Sequence, residues 1–248
     1  MSSGVCLITG ASRGIGAACA EQAATAGYDV VVNFVRDGKA AERVAGLVRK
    51  ASRQAVTVQG DVGSPEDVER IFEVADGLGP LAALVNNAGI VAPRQRVDEY
   101  SVARLERMFR VNITGSFLCA AAAVRRMSTA KGGKGGAIVN LSSVAAVLGA
   151  PGQYVDYAAS KGAIDVFTLG LAREVAEEGI RVNAVRPGII DTEIHASGGE
   201  PDRAAQMRSA VPMKREGSAQ EVASAVIWLL SDEASYVTGT VLDVTGGR

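Results

Sequence analysis

Residues 5–16 read Val-Cys-Leu-Ile-Thr-Gly-Ala-Ser-Arg-Gly-Ile-Gly. The apolar run Val5 to Thr9 leads directly into Gly10, Gly14 and Gly16, and the chain then continues as an Ala-rich amphipathic stretch. A strand, a glycine-rich turn and a helix are what this order specifies. Glycines in such a turn let the backbone approach a pyrophosphate, and the helix that follows offers its N-terminal amides and dipole to it. The spacing is Gly-x-x-x-Gly-x-Gly, so the G-x-G-x-x-G fingerprint is absent, as is a Walker Lys-Ser/Thr pair. A plain glycine-rich turn is the alternative while the motif stands alone.

Outward from this turn the same unit repeats. β-Branched runs at Val30 to Phe34, Ala55 to Gln59, Ala82 to Val85, Ala137 to Leu141, Arg181 to Val185 and Val241 to Val244 alternate with amphipathic stretches. Those stretches predict helices at Ile15 to Ala26, Lys39 to Ala51, Pro65 to Ala75, Val102 to Met127, Val155 to Glu177 and Ala219 to Leu230. Strands that are apolar throughout are covered on both faces, so the expected fold class is α/β. The expected architecture is a doubly wound, Rossmann-type, seven-stranded, mostly parallel sheet with helices on both faces. Ser64-Pro65-Glu66-Asp67 marks one helix start: a capping Ser, Pro in the first turn, then acids at the positive end of the dipole. In such sheets ligands bind beyond the carboxyl ends of the strands.

The 248 residues are expected to form a single domain, 1–248, with neither repeat nor long linker. Lys and Arg number 26 against 27 Asp and Glu, a net charge of -1. That balance gives no reason to expect nucleic acid or an anionic membrane as partner. The longest apolar run, Phe117 to Val124, is far short of the roughly 18 residues of a membrane span. Cys6, Cys19 and Cys119 lie apart among apolar neighbours and read as small core residues. A reducing cytoplasm fits, and no metal site is expected.

The glycine-rich turn, Asn86-Asn87-Ala88-Gly89 after the fourth strand and Tyr157-Ala158-Ala159-Ser160-Lys161 together resemble the short-chain dehydrogenase/reductase family, over essentially the whole chain. The resemblance implies hydride transfer between an alcohol and a carbonyl with NAD(H) or NADP(H). Tyr157 and Lys161, four apart, share a helix face. A phenol titrating near 10 needs a cation beside it to exchange protons at neutral pH, which makes Tyr157 the acid/base candidate and Lys161 its partner. Ser143, by resemblance the second of the Ser142-Ser143 pair, is the candidate to stabilise the substrate oxygen. It stands 14 residues before Tyr157, one more than the family pattern. The extra residue is expected in the loop Gly149 to Gln153. Asn112 continues the inward stripe of Leu105, Met108 and Phe109, and by resemblance links Lys161 to solvent through water.

For the cofactor, the resemblance points to Gly10, Ser12, Arg13, Gly14, Ile15 and Gly16 in the turn, and to Asp61 and Val62 beside the adenine. Asn87, Ala88 and Gly89 come next, Tyr157 and Lys161 reach the ribose, and Pro187, Gly188 and Thr192 lie on the nicotinamide side. Phe34 stands where NAD-dependent members carry an acid, while Arg13 and Arg36 are available to a 2'-phosphate, so NADP(H) is expected over NAD(H). Asp37 reads as a helix cap. Residues 189–216 lose periodicity and suit a substrate lid, with His195 as a lid residue rather than a ligand. Arg125, Arg126, Lys131 and Lys134 gather near a helix end and are read as dipole partners, with docking of an acidic carrier protein as the alternative. A small carbonyl or secondary alcohol is the expected substrate. The alternatives are a 3-oxoacyl-thioester reductase and a catalytically idle nucleotide-binding module. The helix from Val155 is apolar around most of its circumference, so a homotetramer is expected.

Overall fold

The computed structural model describes residues 4–193, 199–200 and 202–248. Strands β1 (Val5–Ile8), β2 (Asp29–Phe34), β3 (Ala55–Gln59), β4 (Leu81–Asn86), β5 (Gly136–Leu141), β6 (Ile180–Pro187) and β7 (Val241–Val244) form one sheet. Its order is β3-β2-β1-β4-β5-β6-β7 and every pairing is parallel. The two-residue period of the strands divides each apolar run between the two faces. Cys6, Ile8, Val30 and Val32 join one buried cluster; Val5, Leu7, Val31, Leu84 and Ile138 join the other. All three cysteines are buried and unpaired. Burial pushes the Cys19 and Cys119 thiols up to about 12 and Cys6 higher still.

Among the described residues the α-helices are α1 (Gly14–Thr25), α2 (Gly38–Lys50), α3 (Pro65–Leu78), α4 (Val102–Phe109), α5 (Gly115–Met127), α6 (Ala145–Leu148), α7 (Val155–Val175), α8 (Arg203–Met207) and α9 (Ala219–Leu230). Local chemistry starts three of the long ones. Ser64 accepts the N–H of Asp67 at the head of α3, Asp37 accepts that of Ala40 at the head of α2, and Ser218 with Glu221 forms a capping box on α9.

One expectation is corrected. The helix expected from Val102 to Met127 is interrupted, because Arg110–Thr114 forms a π turn between α4 and α5. The cause is tertiary. From within this turn the Asn112 side chain grips the loop after β4, accepting the N–H of Ile90 (2.8 Å) and donating to its carbonyl (3.0 Å). Such bulges often occur at functional sites. The aperiodic stretch 189–216 contains α8 and a 3₁₀ turn, Arg208–Ala210, and Ile190 bridges Gly217 in parallel to close its ends. Ile189, Ala204 and Val211 give it a small apolar core of its own. His195 lies outside the described residues. Among the described residues no helix is long and apolar enough to cross a membrane, and no cluster could hold a metal ion.

Candidate active site

Strand order reverses between β1 and β4, so the glycine-rich turn and the Asn86-Asn87-Ala88-Gly89 segment meet at one crevice. Thr9, the last residue before the turn, accepts the N–H groups of Asn87 (3.0 Å) and Ala88 (2.9 Å). The side chain of Asn87 donates back to the carbonyls of Thr9 (2.8 Å) and Gly10 (3.0 Å). Gly16 is required by contact: a Cβ there would lie 2.5 Å from Asn87 Nδ2 and 2.7 Å from the Gly10 carbonyl. From the other side, buried Asn33 accepts the Gly10 N–H (3.1 Å) and donates to the carbonyls of Gly60 (3.0 Å) and Val58 (3.3 Å). The first turn of α1 carries neither a side-chain cap nor an acid. Its amides therefore remain for an anion such as a dinucleotide pyrophosphate, and the residues present fit that group. Ser12 and Ile15 sit half-buried in this turn.

At the far edge, the Phe34 ring packs over the first turn of α2, where a Cβ on Gly38 would come within 3.3 Å of it. Arg13 and Arg36 are exposed nearby, and Asp37 is engaged as the cap of α2. Asp61 accepts the Gly63 N–H (2.9 Å) and lies 3.9 Å from Arg110, and Val62 is buried against Gly115. Beyond β6, Gly188 N–H donates to the Val244 carbonyl (2.9 Å). Thr192 comes back over the turn, its Cγ2 3.4 Å from where a Cβ on Gly14 would stand. Pro187 ends β6 itself.

The other end of the crevice gathers Asn112, Ser143, Tyr157 and Lys161. Ser143 lies near enough to the Tyr157 phenol to favour its charged form, and its Oγ accepts the N–H of Ala145 (3.1 Å). Ser142, by contrast, turns inward and donates to the Lys161 carbonyl (3.1 Å). The loop Gly149 to Gln153 bends through left-handed residues at Gly149, Ala150 and Gly152 before α7 begins. Lys161 Nζ lies 5.8 Å from the Tyr157 ring centre and donates to the Leu141 carbonyl (2.6 Å). Asn112 Oδ1 and Lys161 Nζ both flank Gly89, 3.5 and 3.6 Å from where its Cβ would be, so a Gly there leaves the passage between them open.

Burial dominates the electrostatics. It pushes the Tyr157 phenol up to about 12, with the nearby Ser143 opposing. It pulls the Lys161 ammonium down to about 8, with the carboxylate of Asp165, one turn on, opposing. Asp165 is itself paired with Arg186 (2.9 Å), which also reaches Asp243 (3.4 Å). Thr9, Asn33 and Asp165 were not singled out from sequence. Asn33 had a readable signal, an amide inside an otherwise apolar strand.

A family model described as Enoyl-(Acyl carrier protein) reductase matches residues 10–248. The "Uncharacterized oxidoreductase YgfF" of Escherichia coli (strain K12) is 53% identical over 245 residues, covering 98% of this chain and 99% of that one. A 3-oxoacyl-[acyl-carrier-protein] reductase of Synechocystis is 35% identical, over 98% of this chain and 96% of its own. The crystal structure of a short chain dehydrogenase from Burkholderia cenocepacia J2315 in complex with NADP superposes with a TM-score of 0.90 at 32% identity, over 99% and 98% of the two chains.

Proposed function

Because the chain belongs to the short-chain dehydrogenase/reductase family of oxidoreductases, we propose that it is an NADP(H)-preferring enzyme acting on a small carbonyl or secondary alcohol. The observation that carries this reading is the convergence of Ser143, Tyr157, Lys161 and Asn112 beside a glycine-rich cradle fitted to a dinucleotide. The bound nicotinamide would supply or accept the hydride. Tyr157 gives its proton to the substrate oxygen in reduction and takes it back in oxidation. Ser143 donates a hydrogen bond to the same oxygen as charge develops on it. Lys161 holds positive charge close to the phenol, which favours phenolate against the burial that opposes it. Asn112 keeps Lys161 connected to solvent past Gly89. The exposed guanidinium groups of Arg13 and Arg36 and the missing acid at Phe34 support NADP(H).

We take residues 1–248 as one catalytic unit, 189–216 as its lid, and the cytoplasm as its compartment. The exposed apolar residues Phe117, Val166 and Leu169 on α5 and α7 support a homotetramer. Reduction of a 3-oxoacyl thioester is the second reading, favoured by the Synechocystis relative and the family description. The test is purified protein with NADPH and a panel of cyclohexanone, glucose (as an alcohol, with NADP⁺), phenanthrenequinone and acetoacetyl thioester. Turnover on cyclohexanone, glucose or phenanthrenequinone supports the first reading, turnover on acetoacetyl thioester alone supports the second, and none on any of them refutes both.

A further inference from the structure

Helix α7 begins without a side-chain cap on its first residues, yet its second residue is a buried acid. The Asp156 carboxylate has 0% of its surface exposed and meets Arg104, 11% exposed, in a two-pronged pair: Nε to Oδ2 at 2.7 Å and Nη2 to Oδ1 at 3.2 Å. Oδ1 also accepts the main-chain N–H of Tyr157 (2.9 Å). The remaining nitrogen of the guanidinium, Nη1, donates to the Pro93 carbonyl (2.8 Å) and to Gln95 Oε1 (3.0 Å). Beneath it lies the Tyr100 ring, 4.3 Å away, whose hydroxyl accepts the N–H of Val155 (3.0 Å).

One side chain therefore joins three pieces of the crevice: the first turn of α7, which carries Tyr157; the loop after β4; and α4, which runs through the π turn into Asn112. Burying a charge pair costs desolvation that two apolar side chains of the same volume would avoid. Such a pair is an expensive way only to hold helices together. Its fork, however, fixes a direction as well as a distance.

We propose that Arg104 and Asp156 are positioning residues that set the orientation of Tyr157 against the loop at 93–95. Neither is placed to touch the reacting atoms. The inference rests on Tyr157 being the proton donor of the proposed reaction.

The test compares Arg104→Met, Asp156→Asn, Arg104→Lys and the double variant Arg104→Met/Asp156→Leu with the unaltered enzyme. Each is assayed with NADPH and the carbonyl of the panel above that is reduced fastest. Misplacement of the donor lowers kcat by about ten- to a hundredfold, while NADPH dissociation, read from nicotinamide fluorescence, changes less than about twofold. The double variant regains melting temperature, because no charge is left buried alone, but not kcat. Arg104→Lys, with a single ammonium in place of the fork, recovers less than half of the lost kcat.

Recovery of kcat together with stability in the double variant shows a purely structural pair and overturns the inference. So does an unchanged kcat in Arg104→Met. If Arg104→Met does not fold, the double variant decides alone. Tyr157→Phe run in parallel separates the two claims: an active Tyr157→Phe refutes the proton-donor reading, whereas an inactive one beside active Arg104 variants refutes only the pair.

Discussion

Replacing Asn33 by Ala tests how far the phosphate turn depends on a residue beneath it. The side chain is buried and makes three hydrogen bonds, one from the Gly10 amide and two to the carbonyls of Val58 and Gly60. At about 1 kcal/mol net for each, their loss costs about 3 kcal/mol. A domain of this size loses roughly 2–4 °C of melting temperature per kcal/mol, so the midpoint falls by about 6–12 °C. Because Gly10 belongs to the cradle, the same change loosens the turn, and NADPH binding weakens more than kcat at saturating cofactor. Asn33→Asp is worse: it keeps the acceptor for Gly10 but turns an oxygen onto two carbonyls. Thermal unfolding followed by circular dichroism and a fluorescence titration with NADPH read both effects. A midpoint within about 2 °C of the unaltered protein, with unchanged NADPH affinity, refutes the reasoning, since each lost bond should register.

Tyr157→Phe lowers turnover at least about a hundredfold and leaves NADPH binding nearly intact, as steady-state kinetics and titration will read; near-normal turnover refutes the role. Catalytic efficiency favours NADPH over NADH by at least about tenfold, the effect of one charge-assisted contact to the 2'-phosphate. Phe34→Asp reverses the preference and Arg36→Ala weakens NADPH more than NADH; equal efficiencies in the unaltered enzyme exclude it. Lys161 titrates about 8 when folded and near 10.5 when exposed. Its charge is therefore lost, and the activity of the free enzyme falls, as pH rises through about 8. Over the same interval this group's contribution to stability rises, because the folded chain sheds the proton first. Asp165→Asn moves the activity limb to lower pH, and a profile flat to pH 10 contradicts the assignment. Light scattering at micromolar protein gives four copies; a monomer refutes the assembly.

What the sequence made legible was whatever local chemistry decides. The alternation that sends Cys6 and Val30 to one face and Leu7 and Val31 to the other is written in consecutive residues. So is the start of α3, where Ser64 and Pro65 act within one turn. What it hid depends on groups far apart in the chain. The π turn exists because Asn112 reaches Ile90, 22 residues away, and no pattern within Val102–Met127 announces it. Arg104 and Asp156, 52 residues apart, read as ordinary helix charges until the fold buries them together. Resemblance alone separates Ser143 from Ser142 on paper; the inward turn of Ser142 onto α7 supplies the physical reason.

The junction of β1 with β4 also governs how the molecule comes to exist. Thr9 and Val85 meet there across 76 residues, whereas Gly10 and Asn33 are 23 apart. Closing the longer span costs more chain entropy before any contact repays it, so β1–β2–β3 can assemble ahead of the seam. The crevice has one wall in each half, Gly10 on one and Asn87 on the other. A dinucleotide lying across it binds only the joined form and so slows the parting of the halves, acting as a removable clasp on the folded chain. Until the chain reaches Asn87, the Thr9 and Gly10 carbonyls lack the side-chain amide that holds the turn from the β4 side.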